Sequence, residues 1–229
     1  MTKRIVAIGG GGLAKRGDRR PMLEHVLSLT GAERPKVCYV GTAMGDDARY
    51  TTMFYDVARE AGFDGSHLDL FPMPNVPDVR AHLLAQDAVY VGGGSVANLL
   101  AVWRVHGLDV YLAEAWDAGV VLAGTSAGSL CWFEGGTTDS YGPDLQPVTN
   151  GLALIPASNT PHYDSEERRR PTYQRLVANG TLSPGWAADD GVGLVFEGAE
   201  LAGAVSYRDG AKAYRVERDG ETPVDPEML

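Results

Sequence analysis

Cysteine is nearly absent from this chain of 229 residues, which contains only Cys38 and Cys131. Both stand in apolar stretches, so buried free thiols are expected in preference to a disulfide. Basic charge is also in deficit. Twenty Lys and Arg face thirty Asp and Glu, a formal net charge of −10. That balance argues against a nucleic-acid-binding face and against attraction to anionic membranes. No apolar run reaches the ~18 residues that a membrane span needs. The first residues enter a strand-like run too short for a signal-peptide core, so a cytoplasmic location is expected. Zinc spacings, a P-loop, the H-E-x-x-H pattern, internal repeats and low-complexity segments are all missing. Neither a metal nor a cofactor is expected, and residues 1–229 read as one domain, since no linker marks a boundary.

The first half alternates short apolar runs with helix-like segments. Strands are expected at Arg4–Ile8, Lys36–Val40, Ser66–Leu70, Ala88–Val91 and Val120–Ala123. Helices are expected at Pro21–Leu29, Asp47–Ala61, Val76–Ala85, Val96–His106 and Val110–Ala118. This alternation implies an α/β fold, a mostly parallel sheet with helices on both faces. The second half differs. Phe133–Asn150 reads as loop-rich and Asp164–Asn179 as a helix. Val192–Phe196, Leu201–Tyr207 and Lys212–Val216 read as an antiparallel extension at the edge of the same sheet. Glu221–Leu229 reads as a loose tail.

The sharpest motif is Gly124-Thr125-Ser126-Ala127-Gly128, between a strand-like run and a segment, Ser129–Phe133, that can continue as a helix. Strand, G-x-S-x-G, helix is the setting of a nucleophile elbow, in which flanking glycines allow a sharp, strained turn that lifts the serine hydroxyl from the sheet. The next N–H, on Ala127, then points at an oxyanion. A serine nucleophile needs a base, and histidine is scarce. Of His25, His67, His82, His106 and His162, only His162 lies in a loop C-terminal to the elbow, in Pro161-His162-Tyr163. His106 closes a helix and is the weaker candidate. For the acid that orients the base, Asp189, Asp190 and Glu197 all remain open. Gly92-Gly93-Gly94-Ser95 follows a strand and could supply a second oxyanion N–H or cradle a phosphate. Gly9–Gly12 with Leu13-Ala14 fits G-x-G-x-x-A, but the second strand ends in Tyr39-Val40-Gly41-Thr42 without the acid that a dinucleotide ribose needs. Arg168-Arg169-Arg170 reads as a solvated first turn of a helix that lies close enough to His162 to offer a cation to a substrate carboxylate.

Val89–Ser95, then Gly124–Gly128, then Pro161-His162-Tyr163, in that order, resemble the peptidase E family, serine peptidases of the aspartyl dipeptidase and cyanophycinase group. The resemblance covers nearly the whole chain. It implies a fold like that of class I glutamine amidotransferases, with Ser126 as nucleophile and His162 as general base. It also implies Asp190 as the acid, aligned on the terminal hairpin, and an oxyanion hole from Ala127 and the Gly93–Gly94 turn. Glutamine amidotransferases carry Cys at the elbow, so Ser126 turns the expectation away from glutaminase chemistry. The loop between His162 and Ser165 is shorter than in peptidase E proper, which leaves the aspartyl preference open. The function expected is hydrolysis of short peptides through an acyl-enzyme. The alternatives are a non-catalytic ligand-binding member of the same fold, or a small-molecule esterase or amidase. The expected partner is a small peptide substrate, with no nucleic acid and no membrane. A homodimer stays open.

Overall fold

The computed structural model describes residues 2–11 and 20–229. Its elements, in chain order, begin with β1 (Arg4–Ile8), α1 (Arg20–Ser28), β2 (Lys36–Val40), a 3-10 turn at Thr42–Met44 and α2 (Ala48–Ala61). Next come β3 (Asp64–Leu68), α3 (Val79–Leu84), β4 (Ala88–Val91), α4 (Val96–His106), α5 (Leu108–Asp117), β5 (Val121–Thr125) and α6 (Ala127–Leu130). The second half holds β6 (Phe133–Thr138), β7 (Gln146–Val148), β8 (Ile155–Thr160), α7 (Arg169–Ala178), β9 (Gly185–Ala188), β10 (Val192–Glu197) and β11 (Glu200–Ser206). It closes with β12 (Ala213–Glu217), β13 (Gly220–Val224) and β14 (Glu227–Met228).

One sheet runs β14-β11-β10-β1-β5-β4-β2-β3, and its last five members, from β1 to β3, are parallel. Alternate residues of each parallel strand face opposite sides. Ile5, Ala7, Cys38, Val40, Val89, Val91 and Leu122 pack under α3, α4 and α5. Val6, Ile8, Val37, Tyr39, Ala88, Tyr90 and Val121 pack under α1 and α2. Burial on both faces is why β1, β2, β4 and β5 read as apolar runs, whereas the edge strand β3, at Asp64–Leu68 rather than the expected Ser66–Leu70, buries only Leu68. Helix limits follow capping chemistry. Asp47 accepts from Arg49 N at α2, and Gly62 ends that helix in the left-handed region. Ser95 accepts from Asn98 N at α4, and Gly107 ends it.

β10 returns antiparallel beside β1, with Ile8 opposite Gly193. The start of β10 therefore lies at the C-terminal edge of the parallel strands, where α/β sites collect. β11 continues the antiparallel edge. The run Lys212–Val216 does not: it forms β12 of a second sheet, ordered β13-β12-β9-β8-β6-β7. This sheet was not expected. The segment read as loop-rich contains β6 and β7, and Ile155–Thr160 adds a strand. The helix after the elbow stops at Leu130, and Phe133 already begins β6. The physical reason is composition. β6 and β8 bury Thr137, Thr138, Ser158, Asn159 and Thr160 in place of an alternating apolar pattern. Hydroxyl and amide pairs replace apolar contacts: Thr137 with Thr160, Thr138 with Ser140, Ser158 with Tyr173, and Asn159 Nδ2 with Ser129, while Asn159 Oδ1 has no hydrogen-bond partner among the described residues. Glu221–Leu229 is likewise not a loose tail, because β13 and β14 pair with β12 and β11. Tyr173, Leu176 and Val177 of α7 pack on Ala187 and Val216 of the second sheet.

Candidate active site

The elbow begins where β5 ends. Ser126 has φ 55° and ψ −115°, a region that a residue with a side chain occupies at a cost of about 1–3 kcal/mol. Its neighbours make the turn possible. A Cβ on Gly124 would stand 2.2 Å from the Gly128 carbonyl oxygen, and one on Gly128 would stand 2.3 Å from that of Val91. G-x-S-x-G is therefore a packing requirement. Ser126 N donates to the Ile8 carbonyl at 3.0 Å, and the Ser126 carbonyl accepts from Ser129 N, Leu130 N and the Ser129 hydroxyl. These bonds hold the strained residue on both sides.

His162 follows β8 and also has a positive φ, 56°. Its backbone N donates to the Gly9 carbonyl at 2.9 Å, which ties it to the end of β1. Nε2 lies 2.8 Å from Ser126 Oγ, and Nδ1 lies 2.7 Å from Asp190 Oδ1. Ser126, His162 and Asp190 thus form one hydrogen-bonded chain, half-buried along its length. Burial opposes charge on Asp190. The hydrogen bond and charge of His162, the Ser165 hydroxyl and Arg208 outweigh it, so the carboxyl lies below its ordinary range. An ionised Asp190 can only accept, so Nδ1 donates to it, and in the neutral imidazole Nε2 then meets the serine hydroxyl with its lone pair.

The competing residues lie elsewhere. Asp189 is buried and turned the other way, where Oδ2 accepts from Lys212 N at 2.9 Å; burial pushes its carboxyl up. Glu197 closes β10 at the end remote from Asp190 and pairs with Arg4. His106 ends α4, at the opposite end of that helix from Ser95 and the Gly92–Ser95 turn. Cys131 donates to the Gly128 carbonyl, and complete burial holds its thiol well above the ordinary range. Cys38 is pushed up to about 12 by the same cause. Neither is a rival nucleophile. The Gly92–Ser95 turn passes over the serine. A Cβ on Gly93 would stand 3.3 Å from Ser126 Cβ and 3.9 Å from Oγ. Among the described residues, nothing accepts from the N–H of Gly93, Gly94 or Ala127. Nor does any cluster of three or more His, Cys, Asp or Glu there have the arrangement of a metal site.

The arginine cluster opens α7 as expected, with Arg168 at the N-cap and Arg170 in the first turn both exposed, but Arg169 departs from a solvated turn because it is buried. Arg169 is held by partners of the chain, donating to Glu166 Oε2 at 2.8 Å and to the Thr137 carbonyl at 2.6 Å. Arg168 pairs with Asp144. Arg170 pairs with Glu221 and lies over the rings of Tyr163 and Tyr214. Each guanidinium already holds a carboxylate of the chain. Sequence reasoning missed Gly10. A Cβ there would stand 1.9 Å from Asp190 Oδ1 and 2.6 Å from His162 Nδ1. The signal was the missing acid after β2, which left the first glycine run without a dinucleotide role. The rest of that run, Gly12-Leu13-Ala14, lies outside the described residues.

The family model of peptidase family S51 matches residues 5–203. The uncharacterized peptidase YgaJ of Bacillus subtilis is 44% identical over 214 residues, covering 93% of this chain and 92% of that protein. Peptidase E of Streptomyces coelicolor is 31% identical over 150 residues, covering 63% of this chain and 59% of that protein. In fold, the chain is similar to the crystal structure of a peptidase from an acI-B1 Actinobacterium, with a TM-score of 0.75 at 16% identity over 99% of this chain and 95% of that one. The chain belongs to peptidase family S51 and is a serine peptidase.

Proposed function

We propose that this peptidase hydrolyses short peptides through an acyl-enzyme on Ser126. The observation that carries the reading is the pair of contacts on one imidazole, 2.8 Å to Ser126 Oγ and 2.7 Å to Asp190 Oδ1. Ser126 Oγ attacks the scissile carbonyl carbon while His162 Nε2 takes its proton. Asp190 accepts from Nδ1–H, which fixes the tautomer and stabilises the imidazolium. The tetrahedral oxyanion accepts from the N–H of Ala127 and of the Gly93–Gly94 turn, each donor being worth about 3–4 kcal/mol in comparable sites. Collapse breaks the C–N bond, and His162 gives its proton to the departing amine. Water, deprotonated by His162, then attacks the ester carbonyl. The carboxylic acid leaves and the proton returns to Ser126.

The substrates proposed are dipeptide-sized, with no requirement for an N-terminal aspartate. Burying a substrate carboxylate needs a free cation, and Arg168, Arg169 and Arg170 are each committed to an acid of the chain. The cytoplasm is the proposed setting; a net charge of −10 and two buried free thiols support it. No nucleic acid or membrane partner is proposed. A panel of dipeptides varied at both positions tests the reading. Cleavage by the wild type of Ala-X and Leu-X at rates comparable to Asp-X, and none by Ser126→Ala, is the expected result. Asp-X cleaved far faster than the others would overturn the substrate assignment, and an active Ser126→Ala would overturn the mechanism.

A further inference from the structure

The turn after β11 carries Arg208, whose side chain crosses to the loop between β9 and β10. Nη1 donates to the Asp190 carbonyl at 2.6 Å, and Nη2 donates to Asp164 Oδ2 at 2.9 Å. The other oxygen of Asp164, Oδ1, accepts from Asp190 N at 2.9 Å. These bonds close a ring. Its members are the main chain of Asp190, both oxygens of Asp164 and the fork of Arg208. Asp164 stands two residues after His162, so the ring joins the loop that carries the imidazole to the loop that carries its carboxylate.

The surroundings are shaped for this arginine. Gly191 has φ +83°, and a Cβ there would stand 2.8 Å from Arg208 Cδ and 3.0 Å from Cγ. The missing side chain is the space the arginine stem occupies. Ser206 is fully buried, and its Oγ accepts from Arg208 N at 3.0 Å, with the carbonyl oxygens of Arg208 and Gly191 at 3.0 and 3.3 Å. The turn is thereby fastened to the residue that follows Asp190.

We propose that Arg208, acting with Asp164, is a positioning residue that holds the Asp190 carboxylate in line with His162. The proposal rests on the triad reading above. An ordinary surface ion pair would join two side chains and contribute little. This one grips the backbone of the acid from both sides, and a small misplacement of a reacting group is costly in rate. Arg208 and Asp164 also flank the pair with opposite charges. The other charged groups nearby are engaged elsewhere, Asp189 with Lys212 N and Arg170 with Glu221.

The test compares Arg208→Met, Arg208→Lys and Asp164→Asn in kcat, KM and the pH profile of kcat/KM, with melting temperature as the control for folding. Arg208→Met is expected to lower kcat by about 10- to 100-fold, with KM within about threefold. Its acid limb should move up by about half a pH unit, because loss of a neighbouring positive charge favours the imidazolium. Asp164→Asn should move the limb down by a similar amount, because a negative charge is lost. Arg208→Lys should keep the limb in place and recover part of kcat. Unchanged kcat and limb in these variants, or shifts of the same sign in Arg208→Met and Asp164→Asn, would overturn the proposal. If Arg208→Met fails to fold, the other two decide: a downward limb in Asp164→Asn with an unmoved limb in Arg208→Lys supports it, and any other pattern refutes it. Failure of the triad reading would show separately, as activity retained in Asp190→Asn.

Discussion

Gly10→Ala adds one methyl group to the chain, and the methyl falls on the contact between His162 and Asp190. Gly10 does not have a positive φ, so alanine brings no backbone strain and the effect is one of space alone. The new Cβ would lie 1.9 Å from Asp190 Oδ1, where ordinary contact begins near 3.4 Å. The deficit of about 1.5 Å exceeds what a 2.7 Å hydrogen bond tolerates. What can yield is the carboxylate end and the imidazole, because the Gly10 carbonyl is held by Gly191 N at 3.1 Å. Stability should fall by no more than about 1–3 kcal/mol, the ordinary cost of overpacking. Catalysis should fall much further, between about 10² for a misplaced base and about 10⁴ for a lost acid. The assay is steady-state hydrolysis of a dipeptide by wild type and Gly10→Ala, with thermal melting in parallel. Activity within about threefold of wild type would refute the reasoning, since it would mean that the pair is not where catalysis occurs.

His162→Ala should cost nearly as much as Ser126→Ala, because members of a triad act as a unit, whereas His106→Ala should be close to neutral; steady-state rates decide the ranking. Asp190→Asn should lower turnover by about 10⁴, while Glu197→Gln, at the remote end of β10, should change it little. The lowered pKa of Asp190 also predicts a pH signature in stability. A carboxyl depressed by folding stabilises the protein above its unfolded value of about 3.9 and loses that contribution as pH falls through the folded value. The melting-temperature gap between wild type and Asp190→Asn should therefore be open at about pH 5 and narrow as pH falls below about 4. Arg168→Met removes an exposed ion pair and should leave KM unchanged for Asp-X and Leu-X dipeptides alike.

The parallel half of the fold was legible because its signals are local. Strands buried on both faces read as apolar runs, and Asp47, Gly62, Ser95 and Gly107 mark helix ends by capping chemistry. The elbow was legible for the same reason, since Gly124 and Gly128 must be small within five residues of chain. The second sheet was not. β6 and β8 bury threonine, serine and asparagine, and only the tertiary partners of those groups make them strands. The acid stayed open among three residues because Asp190 reaches His162 through the antiparallel return of β10 beside β1, a long-range pairing with no local mark. Arg208 was invisible likewise, and Gly10 showed only as part of a glycine run without a dinucleotide role, since each acts through a residue distant in sequence.

The central claim is that Ser126 is a nucleophile activated by His162, and covalent labelling with a fluorophosphonate tests it most directly. Intact and peptide mass analysis should find one adduct per chain, on Ser126. The adduct should be absent in Ser126→Ala and should form far more slowly in His162→Ala. A stoichiometric adduct on another residue, or labelling undiminished in Ser126→Ala, would contradict the account.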